Sequence, residues 1–214
     1  MVNKETYTEL VNELSSQGVT LVAVSKIKSK EDILSLYNLG QRDFGENYVQ
    51  ELVDKQAALP KDIRWHFIGH LQSNKVKYIA PFVHLIQGVD SFKLLKEINK
   101  QAAKCNRIID CLLQVHIAQE ETKFGMNEAE LEEVHSTIAE FSCVKIRGLM
   151  GMASLSDDEE KIKNELRYLK KLFDRPWSGE WSVLSMGMSG DYQMAIQEGS
   201  TMVRVGSLLF GARG

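Results

Sequence analysis

Leu21-Val22-Ala23-Val24-Ser25-Lys26, followed by the stretch 30–39, is the unit whose reading decides the fold. The first part is a short apolar run of strand length, and the second carries apolar residues at helical spacing. The same pair recurs to the end of the chain. Strands are predicted over 21–26, 42–47, 64–69, 84–89, 110–116, 144–151, 182–187 and 202–210. Helices are predicted over 4–17, 30–39, 48–58, 74–79, 92–104, 128–141, 157–174 and 191–197. Ser29 and Ser91 suit helix N-caps, and Gly40 and Gly199 suit helix ends. Asp157, Asp158 and Glu159 place negative charge at the positive end of the next helix.

Strand–helix alternation implies a parallel sheet with right-handed crossovers. No Gly-x-Gly-x-x-Gly follows the first strand, and the strands are evenly spaced. Both features favour a closed (β/α)8 TIM barrel over an open doubly wound sheet. Only Gly211-Ala212-Arg213-Gly214 follows the last predicted strand, so the helix before the first strand is expected to close the seam. No Pro-rich or low-complexity linker divides the chain, which reads as one domain over 1–214 with no C-terminal β domain.

The 214 residues are 43% hydrophobic, enough for a large core, and carry a formal net charge of -3 with no Lys/Arg run. Nucleic acid is therefore not an expected partner. Cys105, Cys111 and Cys143 are odd in number and lack C-x-x-C spacing, which speaks against a disulfide framework. The N-terminus has no apolar signal region and no run spans a membrane, so a cytoplasmic location is expected. His66 and His70 sit in a strand–turn segment without a third spaced ligand, and no metal site is expected.

In a barrel of this kind the site lies at the C-terminal ends of the strands. Lys26 ends the first strand. A lysine there either reaches to water or, desolvated, becomes a nucleophile for an aldehyde such as pyridoxal phosphate. Arg204 interrupts the apolar strand Met202-Val203-Arg204-Val205, so alternation points either it or both valines inward. An inward arginine requires an aromatic nitrogen, a phosphate, or a carboxylate such as Glu46. If the first and last strands are neighbours, the two cations face one pocket. Ser189-Gly190 before the last helix and Gly206-Ser207 after Arg204 form either a phosphate cup or simple helix capping.

These residues lie within motifs that resemble the pyridoxal phosphate homeostasis protein family. The motifs are Ala23-Val24-Ser25-Lys26, Phe44-Gly45-Glu46-Asn47, Trp65-His66-Phe67-Ile68-Gly69, Leu71-Gln72-Ser73-Asn74-Lys75, Glu121-Thr122-Lys123-Phe124-Gly125, Leu149-Met150, Ser185-Met186-Gly187-Met188-Ser189, and 199–206 with Phe210-Gly211-Ala212-Arg213. They occur in order over essentially the whole chain. The family looks like the barrel domain of alanine racemase and of the fold-type III decarboxylases. The resemblance implies that Lys26 holds pyridoxal 5'-phosphate as an aldimine and that Arg204 lies at the pyridine nitrogen. It also implies that Ser189, Gly190, Gly206 and Ser207 hold the phosphate. Asn47, His66 and Met150 match motif positions assigned to the cofactor-binding set. Ile27-Lys28-Ser29 replaces the family's more usual Thr-Lys-Pro, and Ser207 replaces a threonine.

The implied function is cofactor binding, homeostasis and supply, with cofactor-dependent client enzymes as partners. An arginine cannot protonate the pyridine nitrogen, which weakens the ring as an electron sink. The resembled racemases take an opposing tyrosine from a second domain that is not expected here. Robust catalysis is therefore not expected, and a monomer is. The alternatives are a slow amino-acid racemase or related fold-type III enzyme, and a barrel lyase that uses Lys26 without pyridoxal phosphate. Lys123 is the competing lysine for the aldehyde.

Overall fold

The computed structural model describes residues 2–118, 124–176 and 181–211. Its strands are β1 (Thr20–Val24), β2 (Asp43–Glu46), β3 (Arg64–Phe67), β4 (Leu85–Val89), β5 (Ile109–Gln114), β6 (Val144–Met150), β7 (Val183–Ser185) and β8 (Met202–Val205). They are parallel and close in sequence order into one barrel, with β1 against β8 from Thr20↔Met202 to Ala23↔Val205. This is the expected (β/α)8 architecture. The helices are α1 (Lys4–Ser16), α2 (Lys30–Tyr37), α3 (Val49–Ala58), α4 (Val76–Ile79), α5 (Phe92–Lys104), α6 (Glu128–Thr137), α7 (Glu159–Phe173), α8 (Tyr192–Gln197) and α9 (Ser207–Phe210).

Alternation along the strands separates two apolar layers. Outward residues such as Phe44, Trp65, Phe67, Val203 and Val205 join the helices in the main core. Val22, Leu85, Leu112, Met150 and Met202 fill the lumen as a smaller cluster. The helices supply apolar stripes at helical spacing, as with Leu94, Leu95, Ile98 and Ala102 of α5. Ser91 and Ser29 accept from the N–H of Leu94 and Asp32, so both predicted caps form. Such caps contribute about 1 kcal/mol each.

The last predicted strand is too long. β8 ends at Val205, and Ser207–Phe210 forms a helical turn with Leu209 and Phe210 buried. An unbroken apolar run does not distinguish strand from buried helix, and Gly206 makes the break. The turn completes the seam: the Asn3 N–H donates to the Leu209 carbonyl at 2.8 Å, drawing α1 onto α9. No helix among the described residues is long and apolar enough to cross a membrane.

β5 pairs with β6 through a register shift between Cys111 and Leu112. Gly148 takes φ +149 there, and a Cβ on it would lie 1.9 Å from the Val183 carbonyl oxygen. Gly148→Ala must therefore push β6 from β7. A loss of at least about 3 kcal/mol is expected, in the range reserved for forced backbone clashes. Urea denaturation measures it, and a loss below about 1 kcal/mol contradicts the placement.

Candidate functional site

The C-terminal ends of the strands surround a cavity of about 430 Å³, a size typical of small-molecule sites. Lys26, Asn47, Ser189, Gly190, Arg204, Gly206 and Ser207 all line it, as do Lys28, Met152, Leu155 and Met188. Among the described residues three cations face this space and no carboxylate lines it. His66 and Met150 do not line it. Met150 is packed in the lumen, and His66 lies deeper, lining a cavity at the opposite end of the barrel. Lys123 lies outside the described residues.

Arg204 settles the question of alternation: it points inward, and both valines point outward. It is 4% exposed. Its NH1 donates to the Ser185 carbonyl at 2.9 Å and to Ser185 Oγ at 2.6 Å, and its NH2 donates to the Gly151 carbonyl at 2.9 Å. Among the described residues no carboxylate forms an ion pair with it. Burial pushes its pKa down to about 10, partly offset by the charge of Asp191. The guanidinium stays charged at neutral pH. Three of its five N–H groups are used, which leaves donors for a ligand in the cavity. The suggested ion pair with Glu46 does not form, because Glu46 faces α3 and pairs with Lys55.

Lys26 lies two residues beyond β1, not at its last position as the sequence suggested. The ladder continues through the Ser25 N–H to the Gly45 carbonyl at 3.0 Å, and the Lys28 N–H closes a turn on the Ser25 carbonyl. The next residue, Ile27, holds φ +61, an unusual conformation for a β-branched side chain. Its N–H donates to Glu51 Oε1 at 2.7 Å. Lys55 Nζ donates to that same oxygen at 2.6 Å, to Glu46 Oε1 at 2.7 Å and to the Ser25 carbonyl at 2.7 Å. Ser25 Oγ donates to Glu46 Oε1 at 2.6 Å. One buried ionic cluster thus grips the backbone on both sides of Lys26. Sequence reading missed Lys55 and Glu51, which sit one turn apart on the face of α3 that meets the barrel.

Opposite Lys26, Ser189 Oγ accepts from the Gly206 N–H at 3.2 Å and ties the β7 loop to the β8 loop. A Cβ on Gly190 would meet nothing, so its backbone is open to an incoming group. Asn47 Oδ1 is buried without a partner on the cavity wall, an acceptor that a ligand hydroxyl can satisfy. Lys28 Nζ donates to the Phe210 carbonyl at 3.1 Å across the same opening. Among the described residues no tyrosine lines the cavity. Tyr192 turns its hydroxyl to Glu13 and Tyr48 stands over the neighbouring groove.

Residues 4–214 match the family model described as "Alanine racemase, N-terminal domain". A relative in Aquifex aeolicus named "Pyridoxal phosphate homeostasis protein" is 42% identical over 197 residues, covering 90% of this chain and 86% of the relative. PipY of Synechococcus elongatus, solved without PLP, superposes with a TM-score of 0.90 at 34% identity, covering 97% of this chain and 99% of that one. Its structure with PLP bound gives a TM-score of 0.85 at 35% identity, covering 95% and 99%. Alanine racemase of Clostridium difficile shares the fold, with a TM-score of 0.76 at 13% identity, covering 99% of this chain and 58% of that one.

The cluster beneath Lys26 makes its own demand on stability. Burial lifts the Glu46 carboxyl above the usual carboxylate range, and Lys55 opposes the lift. Lys55→Met removes the only lysine in contact with Glu46 among the described residues. A loss of about 3–5 kcal/mol is expected at neutral pH. A raised folded pKa favours the folded state at low pH, and that contribution is lost as pH rises through the folded value. The Lys55→Met deficit should therefore shrink as pH falls, and Glu46→Gln added to it should recover part of the loss. Denaturation across pH 5–8 measures both, and a pH-independent deficit contradicts the assignment.

Proposed function

We propose, from the premise that this chain belongs to the pyridoxal phosphate homeostasis proteins within the alanine racemase N-terminal domain family, that it binds pyridoxal 5'-phosphate in the cavity between Lys26 and Arg204. The observation that carries the reading is the lining itself. Lys26, Lys28, a buried Arg204 with neutral partners and a Ser/Gly cup face one space that no carboxylate lines among the described residues. Pyridoxal phosphate supplies an aldehyde that a lysine amine can hold covalently and reversibly.

Each residue then has a distinct task. Lys26 presents its amine from a turn whose two flanks are clamped by Glu46, Glu51 and Lys55. Arg204 would offer donors to the ring nitrogen and, protonated at neutral pH, leave that nitrogen an acceptor. Ser189 and the N–H groups around Gly190, Gly206 and Ser207 receive the phosphate. Asn47 Oδ1 would accept a hydrogen bond from a ring hydroxyl. The homeostasis role named in the relatives follows as cofactor holding and supply, with enzymes that depend on pyridoxal phosphate as recipients. The protein acts as a cytoplasmic monomer in this reading, which suits its three free thiols.

Turnover of amino acids is not part of the proposal. Two-base racemisation needs a proton carrier opposite the lysine, and no tyrosine among the described residues lines the cavity. Chiral chromatography of the loaded protein with each L-amino acid should show no conversion in the ordinary enzymatic range of roughly 1–10³ per second. Conversion in that range that vanishes in Lys26→Ala makes the protein a racemase instead.

Borohydride treatment of the loaded protein should fix the cofactor to the peptide that carries Lys26, read by mass spectrometry. Ser189→Ala should weaken cofactor binding by about 1–3 kcal/mol. Label on Lys123 or Lys28 in place of Lys26 moves the site and overturns the assignment.

A further inference from the structure

The polar side chains of the lumen join into one chain that runs the length of the barrel. Arg204 NH1 reaches Ser185 Oγ at 2.6 Å, and Ser185 Oγ reaches Gln87 Oε1 at 2.7 Å. Gln87 Nε2 lies 3.0 Å from His66 Nδ1, and His66 Nε2 lies 3.0 Å from Asp43 Oδ1. β4 is not a neighbour of β7 in the barrel, so the Gln87–Ser185 bond crosses the lumen. All five side chains are buried. The far end opens on a cavity of about 240 Å³ at the N-terminal ends of the strands, lined by Asp43, Arg64, His66 and His84.

One assignment of protons satisfies every link of this chain with the amide as placed. Arginine can only donate, so Ser185 Oγ accepts from it and gives its single proton to Gln87 Oε1. The Gln87 amide nitrogen must then face His66 Nδ1, which accepts. Its other hydrogen meets Met202 Sδ at 3.3 Å, so the amide is fully used. In that assignment the imidazole keeps its proton on Nε2 and donates that N–H to Asp43 Oδ1. Asp43 can only accept, and Arg64 also donates to both of its oxygens. Burial alone would raise the Asp43 carboxyl, but the hydrogen bonds from Arg64 and His66 outweigh it and hold it far below the usual range. A ring nitrogen of His84 lies within 4.8 Å of a carboxylate oxygen of Asp43 and a ring nitrogen of His66. Arg64 donates to both carboxylate oxygens of Asp43 and holds it as the fixed end of the chain.

We propose that this chain is a directional relay that fixes the orientation of the Arg204 guanidinium, and that Gln87 and His66 are positioning residues for the ligand bound above it. A guanidinium held on one edge by Ser185 and Gly151 keeps its remaining edge turned to the cavity. Without the relay the Ser185 hydroxyl can rotate, and the plane of Arg204 is held by carbonyl oxygens alone. The proposal rests on the reading that Arg204 meets pyridoxal phosphate, and the experiment separates the two.

Nitrogen-15 NMR of the ligand-free protein reads the His66 tautomer without any cofactor. The relay requires a neutral ring with Nε2 protonated and Nδ1 bare and hydrogen-bonded. Absorbance of the protein saturated with pyridoxal phosphate then compares Gln87→Leu, Ser185→Ala and Arg204→Gln. Gln87 does not line the ligand cavity, so a packing role leaves the spectrum alone. Gln87→Leu and Ser185→Ala are each expected to shift the absorption maximum in the direction of Arg204→Gln. Each should also raise the cofactor dissociation constant about two- to tenfold. Two results overturn the relay: a proton on Nδ1 of His66, or an unchanged spectrum in both relay variants while Arg204→Gln alters it. If a variant does not fold, the tautomer decides. Failure of the wild-type protein to take up pyridoxal phosphate rejects the functional reading and leaves the tautomer as the test of the relay.

Discussion

A guanidinium that keeps its charge at neutral pH lies inside the barrel with no carboxylate to neutralise it among the described residues. Burying such a charge costs several kcal/mol unless dipoles replace the lost water. The Ser185 and Gly151 carbonyls and the Ser185 hydroxyl do so from the ends of β7 and β6. That requirement shapes the lumen. Where a barrel core is ordinarily filled by branched apolar side chains, this one gives up one position on each of β3, β4, β7 and β8 to His66, Gln87, Ser185 and Arg204. The apolar filling that remains is Val22, Leu85, Leu112, Met150 and Met202.

A second charged cluster does the complementary work outside the barrel wall. Lys55 and the carboxylates Glu46 and Glu51 lie between the barrel and α3, and they bind backbone atoms of Ser25 and Ile27 as well as one another. The left-handed Ile27 is held there by its N–H bond to Glu51. The loop that carries Met152 and Leu155 is held in a similar way, since buried Glu165 of α7 accepts from the Ser154 N–H and hydroxyl. Helices on the outside thus fix the loops at the mouth.

The sequence shows the barrel plainly, because each strand and helix keeps its own period over several residues. It also shows Lys26 and Arg204, since each is a cation breaking an apolar run. The cup of Ser189, Gly190, Gly206 and Ser207 is legible only as a cluster of small residues, and its meaning comes from the closure of β8 onto β1. The helical turn at Ser207–Phe210 hides inside an apolar run that suits either structure. Gln87 reads as one polar residue in a strand, and its partner Ser185 is 98 positions away. Lys55 and Glu46 have no motif spacing between a strand and the following helix, so their pairing emerges only from packing. His66 stands in a strand that motif matching places beside the cofactor, but its ring points along the lumen toward Asp43.

In the proposed complex one ligand bridges Lys26 and Arg204 across the mouth. A crystal structure of the protein grown with pyridoxal phosphate tests it most directly. Electron density is expected to be continuous with Lys26 Nζ, with a ring nitrogen about 3 Å from an Arg204 nitrogen and phosphate oxygens on the Ser189–Gly190 and Gly206–Ser207 backbone. Density for the cofactor in any other cavity, with the space between Lys26 and Arg204 holding only water, contradicts it.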